Sequence, residues 1–270
     1  MKKLSKSIVR EWGAVAILDA LGAKNYSEAD IEKFLTSRNR VLQELNSWVE
    51  VPHGSVKLRA SDLITFTFND TIIIVLRGGQ IPLSFDAATS FAAVLRKFIA
   101  DSMATGLLFR GAAALGSFRV DETTNTVMGD AVTDAAQWYE KTEWVGVHFT
   151  PRSSLELASM YEKAASTRRW AMFRYNVPLR GGGTLDTYAI NWPKILLVPK
   201  LSPWEGSLPP KAQLLKSLSQ NRVPLGTEQK YLNTLAFFDH SLRLEAEASK
   251  SESGKDVKRG KSLRPNPATR

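Results

Sequence analysis

The stretch from residue 63 to 76 constrains the fold more than any other. Leu63-Ile64-Thr65-Phe66-Thr67-Phe68 and Thr71-Ile72-Ile73-Ile74-Val75-Leu76 are both rich in β-branched and aromatic side chains, which suit a pleated, half-buried surface. Only Asn69-Asp70 separates them, a pair fit for a two-residue hairpin turn. A hairpin here makes the sheet antiparallel at its centre. Gly78-Gly79 closes the second strand. Upstream, Gly13 to Asp19 is a short apolar run that reads as a buried strand. Ser27 is an N-cap with Asp30 as its capping-box partner. Behind it Ile31, Phe34, Leu35, Leu42, Leu45 and Val49 recur at helical spacing, predicting a helix over about 28–50 that Pro52 and Gly54 end. Downstream, Phe85 to about Met103 reads as a helix and Leu107 to Phe118 as a strand. The order β-α-β-β-α-β is a split β-α-β arrangement. It predicts an α+β fold, palm- or ferredoxin-like, with one antiparallel-centred sheet and helices on one face.

A helix over Asp130–Lys141, a strand over Val145–Phe149 and a helix over Ser153–Ala165 continue the pattern. Two strands then flank Gly181-Gly182-Gly183, and Asn191-Trp192-Pro193 ends the second. That triplet lacks the Lys-Ser/Thr of a P-loop and reads as a hairpin loop. The domains are expected at 1–200, with a helical extension over 201–248 and a disordered basic tail over 249–270. The tail changes the meaning of the net charge of +9. Residues 250–270 hold seven basic side chains against Glu252 and Asp256, so more than half of the surplus lies there. A body with the remainder suits a small anionic substrate better than a nucleic-acid groove. A basic RNA- or DNA-binding protein is the weakest of the functional readings.

Cysteine is absent, which excludes disulfides, thiolate metal centres and a cysteine nucleophile. His53, His148 and His240 never fall at metal-ligand spacing. No window approaches a membrane span, and the start lacks a signal-peptide apolar region, so a soluble cytoplasmic protein is expected. What remains for chemistry is a pair of carboxylates. Asp19 ends a buried strand, and Asp70 sits in the hairpin turn. In a split β-α-β sheet the first strand lies beside the hairpin, so the two can face each other and hold hard divalent cations. Asp is also a favoured turn residue, and Asp70 is equally accounted for by the hairpin alone.

Ile17-Leu18-Asp19-Ala20-Leu21-Gly22 resembles the strand that begins class III nucleotidyl cyclase domains. Phe68-Asn69-Asp70-Thr71-Ile72 resembles their hairpin, and Gly129-Asp130-Ala131-Val132-Thr133-Asp134-Ala135-Ala136 resembles their Gly-Asp-x-Val-Asn-x-Ala-Ser helix start. Arg110-Gly111 and Gly116 resemble the preceding strand, and the order fits from about 13 to 165. The Arg-Gly-Ala strand and the Asn-Trp-Pro segment look most like the bacterial pyrimidine cyclases of Pycsar anti-phage systems. The resemblance implies conversion of a nucleoside triphosphate, UTP ahead of CTP, to the 3′,5′-cyclic monophosphate and pyrophosphate. The product would be read by a separate effector protein in antiviral defence. It implies two divalent ions, Mn2+ or Mg2+, between Asp19, the carbonyl of Ala20 and Asp70. Amides at Leu21, Gly22 and Ala23 would cradle phosphates, and a homodimer would share its active sites, with no membrane or nucleic acid as partner.

Thr133 and Gln137 stand where purine cyclases carry Asn and Arg to bind the substrate. Neither is a cation, so charge on the triphosphate must be met elsewhere, by Arg110 or Lys24. If nothing does so, the chain is a catalytically inactive nucleotide-binding or dimerisation module. Phe66 and Phe68 share a strand face and are expected in the core rather than around a base.

Overall fold

The computed structural model describes residues 8–49, 58–161, 171–198, 202–204, 208–220 and 226–261. Pro52, His53 and Gly54 lie outside them. In β2 (Leu63–Phe68) and β3 (Thr71–Gly79) the hairpin has Phe68 opposite Thr71. Asn69 takes the left-handed conformation at φ 53°, which a short polar side chain tolerates. β1 (Arg10–Ala20) runs antiparallel to β3 on one side and to β4 (Phe109–Asp121) on the other. Between these strands run α1 (Glu28–Val49) and α2 (Phe85–Ala104). The α1 capping box closes as read: Ser27 N and Oγ donate to Asp30 Oδ2 at 3.0 and 2.7 Å, and Asp30 N donates back to Ser27 Oγ at 3.3 Å.

β5 (Thr126–Met128) folds back on the end of β4 and leads into α3 (Asp130–Trp138). β6 (Gly146–Phe149) joins β4 in parallel, α4 (Pro151–Tyr161) follows, and β7 (Met172–Pro178) and β8 (Thr184–Ile190) complete one eight-stranded sheet. Its order is β2-β3-β1-β4-β6-β8-β7 with β5 off β4. The fold is therefore a mixed α+β one, with a single open sheet.

Strand alternation assigns the two faces. Ala14, Ala16, Leu18, Ile72 and Ile74 pack on Phe34, Phe91 and Phe98 of α1 and α2. Val15, Ile17, Phe66, Val75, Ala114 and Phe118 point the other way, onto Ala131 and Ala135. The main helices thus share one face as expected, and α3 lies on the other. Small side chains one turn apart let α3 settle close to the sheet. Gly129 allows its approach: at φ 143°, a Cβ there would stand 2.6 Å from Phe118 Cα. Gly111 does the same between strands, because a Cβ would meet Ile17 O at 2.4 Å. That contact sets β4 against the end of β1.

α5 (Pro193–Leu196) and α6 (Pro210–Ser219) lead to α7 (Glu228–Lys261). Phe237 and Phe238 are fully buried in the same core as the strands. Phe237 stacks on Phe173 at 5.3 Å and meets Trp144 edge-on at 4.7 Å. Ser217 Oγ donates to Met103 O at 2.6 Å, Val145 N to Thr234 Oγ1 at 2.9 Å and Ser241 Oγ to Asn191 Oδ1 at 2.7 Å. These bonds fasten the segment expected as an extension to α2 and to the residues next to β6 and β8. The tail expected from Ser249 begins within α7, which runs to Lys261, and residues 262–270 lie outside the described ones. Low hydrophobicity denies a segment a core, yet a helix already nucleated by packing propagates through polar residues at little cost. Among the described residues no helix is long and apolar enough to cross a membrane.

Candidate active site

The end of β1 is tied to the hairpin turn by one bond, Ala20 N donating to Asp70 O at 3.1 Å. That bond brings the two candidate carboxylates, Asp19 and Asp70, to one corner of the sheet. Asp19 follows Val15 and Ile17 in the alternation, so its side chain leaves β1 on the face that carries α3. Its cross-strand neighbours are Thr71 and Arg110.

Arg110 is not a free cation. Its Nε and Nη2 donate to Asp19 Oδ2 at 3.1 and 3.0 Å, its Nη1 donates to Glu140 O at 3.4 Å, and Nη2 lies 3.9 Å from Glu140 Oε1. Both partners are sequestered, with Arg110 at 7% and Asp19 at 13% side-chain exposure. Burial pushes the Asp19 carboxyl above its usual range; Arg110 works against the rise, and the charges of Asp70 and Glu140 add to it. Desolvation outweighs the ion pair here, and a second carboxylate close by makes ionisation harder still.

This donor set fits a divalent cation. Asp19 and Asp70 supply hard oxygen ligands, and Oδ1 of Asp19 is not used by Arg110. A cation beside the desolvated Asp19 carboxylate relieves its burial cost and offsets the charge of Asp70. The pair is a minimal one: among the described residues no group of three His, Cys, Asp or Glu side chains could hold a metal. A substrate's own oxygens would have to complete the shell.

The other expected residues divide. Leu21 N donates to Leu108 O at 2.8 Å, so that amide is already used. Gly22, at φ 89°, starts a 3-10 turn over Ala23–Asn25, and the amides of Gly22 and Ala23 remain for a ligand. Lys24 is exposed on that turn. Thr133 and Gln137 are exposed one turn apart on α3 and make no hydrogen bond to the carboxylate pair. Phe66 is buried at 6%, whereas Phe68 is 81% exposed. β2 is an edge strand, and its last residue has no helix over it.

A cleft of about 840 Å³ opens beside the turn, lined among others by Gly22, Tyr26, Lys33, Lys230 and Tyr231. Burial raises the Tyr26 phenol above its ordinary value, and the charges of Asp30 and Asp70 add to the shift. Tyr26 therefore stands close to the carboxylate corner. Sequence reasoning missed Tyr139 and Glu140. The Tyr139 phenol is raised by burial first, then by Glu140 and Asp19, which places it at the site. The Ala131–Ala135–Tyr139 spacing continues the sheet-facing stripe of α3 and was the available signal. His148 is wholly enclosed, and desolvation holds its imidazole near pKa 4.

No family model matches the chain, and no curated protein does. Among solved structures the chain is similar to the adenylyl cyclase CyaB from P. aeruginosa. The TM-score is 0.44 at 14% identity, over 67% of this chain and 94% of that one. It is similar also to the catalytic core of a rhodopsin-guanylyl cyclase with converted specificity in complex with ATPalphaS, at TM-score 0.44 and 14% identity, over 68% and 97% of the two chains.

Proposed function

We propose that the chain is a nucleotidyl cyclase. The observation that carries the reading is the corner where Asp19 and Asp70 meet at the ends of adjacent strands, in a sheet of split β-α-β order. Bound divalent ions would make a ribose 3′-hydroxyl more acidic and offset charge on the departing pyrophosphate. Asp19 and Asp70 would hold those ions, with the carbonyl of Ala20 as a further ligand. The amides of Gly22 and Ala23 bind phosphate oxygens as dipoles. Arg110 fixes the Asp19 carboxylate in orientation through two donors that share its Oδ2. Little proton transfer by side chains is required, because positioning and charge stabilisation dominate phosphoryl transfer.

The finer reading is a pyrimidine cyclase, UTP ahead of CTP, that acts as a homodimer and signals to a separate effector in anti-phage defence. Its support is in the sequence: Thr133 and Gln137 in place of the Asn and Arg of purine cyclases, and the Arg-Gly-Ala and Asn-Trp-Pro segments. A second reading, an inactive nucleotide-binding module, is favoured by one observation: Arg110 already neutralises Asp19.

Incubation of the purified chain with each of the four nucleoside triphosphates and Mn2+, with products weighed by mass spectrometry, separates the readings. A cyclic pyrimidine monophosphate that disappears in Asp70→Asn is the expected result. Nucleotide binding with no product from any of the four would leave the inactive module.

A further inference from the structure

The cleft of about 840 Å³ has the size of a small-molecule site. It is lined by the turn after β1, the start of α1, the link from α2 to β4, and residues around the start of α7. Phe34 and Leu107 in its lining belong to the core under α1 and α2, and Leu21 packs against that core. Asp19 leaves β1 on the opposite face, with Val15 and Ile17. The cleft and the Asp19 side chain therefore lie on opposite sides of the sheet, and the turn at Gly22 links them.

Two phenols face this space. Tyr26 follows the 3-10 turn and packs on Phe34, with ring centres 5.7 Å apart. Tyr231 comes from the first turn of α7, at the far end of the chain. Burial raises both phenols above their ordinary value, so both keep their proton at neutral pH and can donate. Tyr26 feels the charge of Tyr231, yet among the described residues the two rings are not in contact with each other. Rings placed in this way leave room for a planar third, and a base stacks well on aromatic faces. Asn25 and Gln220 each bring an amide with a donor and an acceptor, the pairing that base edges require.

The charges of the cleft are mostly committed. Lys230 is buried, and its Nζ lies 3.6 Å from Glu143 Oε1. The Asp30 carboxylate is turned to the start of α1, where it accepts from Ser27. Lys33 is exposed and enters no ion pair among the described residues. One uncommitted cation suits a monophosphate better than a polyphosphate.

We infer that the cleft is a second nucleotide site, separate from the carboxylate corner, and that it takes a mononucleotide. The base lies between Tyr26 and Tyr231 with its edge on Asn25 and Gln220, and the phosphate is met by Lys33. The occupant ties the start of α7 to the turn that carries Gly22 and Ala23. Control of turnover through that turn rests on the nucleotidyl cyclase reading; the binding does not.

The test is calorimetric titration of 5′-UMP and 5′-AMP into the intact chain with EDTA present. Without divalent ions Asp19 and Asp70 have nothing with which to hold a phosphate, so the titration reads the cleft. At least one of the two is expected to bind and to raise the melting temperature, because it binds the folded chain alone. Lys33→Gln, at an exposed position, should leave the melting temperature of the empty chain unchanged and weaken binding about tenfold. Tyr231→Leu should weaken it about tenfold through lost stacking, whereas Tyr231→Phe keeps the ring and most of the affinity. No binding of either nucleotide, or affinity within about twofold of the intact chain in both Lys33→Gln and Tyr231→Leu, overturns the inference. So does binding that is lost in Asp70→Asn but kept in Lys33→Gln, which puts the nucleotide at the corner. A chain that binds through the cleft yet forms no cyclic nucleotide refutes only the cyclase reading.

Discussion

Replacing Arg110 by Met tests the energetics of the corner directly. Met keeps much of the apolar stem and removes the charge, leaving the Asp19 carboxylate at 13% exposure without its two donors. Breaking a buried pair from one side costs about 3–5 kcal/mol. The residual exposure of Asp19 and of Glu140 nearby puts the expected loss near the lower figure, ~3 kcal/mol. The sign with pH follows from Asp19, whose carboxyl already lies above its usual range because of burial. A native carboxyl raised above its unfolded value binds more protons than the unfolded chain, so stability falls as pH rises through that interval. Removing Arg110 takes away the influence that holds the value down and widens the interval upward. Arg110→Met should therefore be most destabilised at neutral pH, and the deficit should shrink as pH falls and Asp19 takes up its proton. Urea unfolding at pH 7 and near pH 4.5, with Asp19→Asn and the double variant closing a mutant cycle, measures it. An equal deficit at both pH values, or a coupling below about 0.5 kcal/mol, would refute the reasoning.

Three further outcomes are expected. Gly111→Ala places a Cβ 2.4 Å from Ile17 O, which forces β4 from β1; a loss of about 1–3 kcal/mol in thermal unfolding should accompany lost activity. Phe237→Ala empties the centre of an aromatic cluster and should cost about 3–5 kcal/mol by urea denaturation. Chelation by EDTA should stop any cyclic nucleotide production, and added Mn2+ should restore it; production unaffected by chelator would remove Asp19 and Asp70 from a metal-holding role.

The carboxylate corner was legible because topology alone brings it together. A two-residue turn puts Asp70 at a strand end, and a split β-α-β order puts β1 beside that strand. The state of Arg110 was harder to read, since it depends on register. Asp19 and Arg110 are direct cross-strand partners, and one residue of slip would have sent them to opposite faces. Tyr139 and Glu140 were missed because the Ala131–Ala135–Tyr139 stripe reads equally as core packing, and their place beside Asp19 depends on which face of the sheet α3 takes. The side of the sheet taken by α3 was likewise hidden, because Ala131 and Ala135 are small enough to pack on either face.

The burial of α7 bears on how the chain could be divided. Trp144 and Trp192, both wholly enclosed, touch Phe237, and Thr234 accepts from Val145 N across 89 positions of sequence. A fragment cut at residue 200 would keep every strand and both candidate carboxylates, yet would open its aromatic interior to water and strand a buried amide. Such a fragment should aggregate rather than serve as a minimal enzyme. The indole emission of the intact chain should shift to longer wavelength whenever α7 undocks, giving an optical record of that event without reference to any substrate.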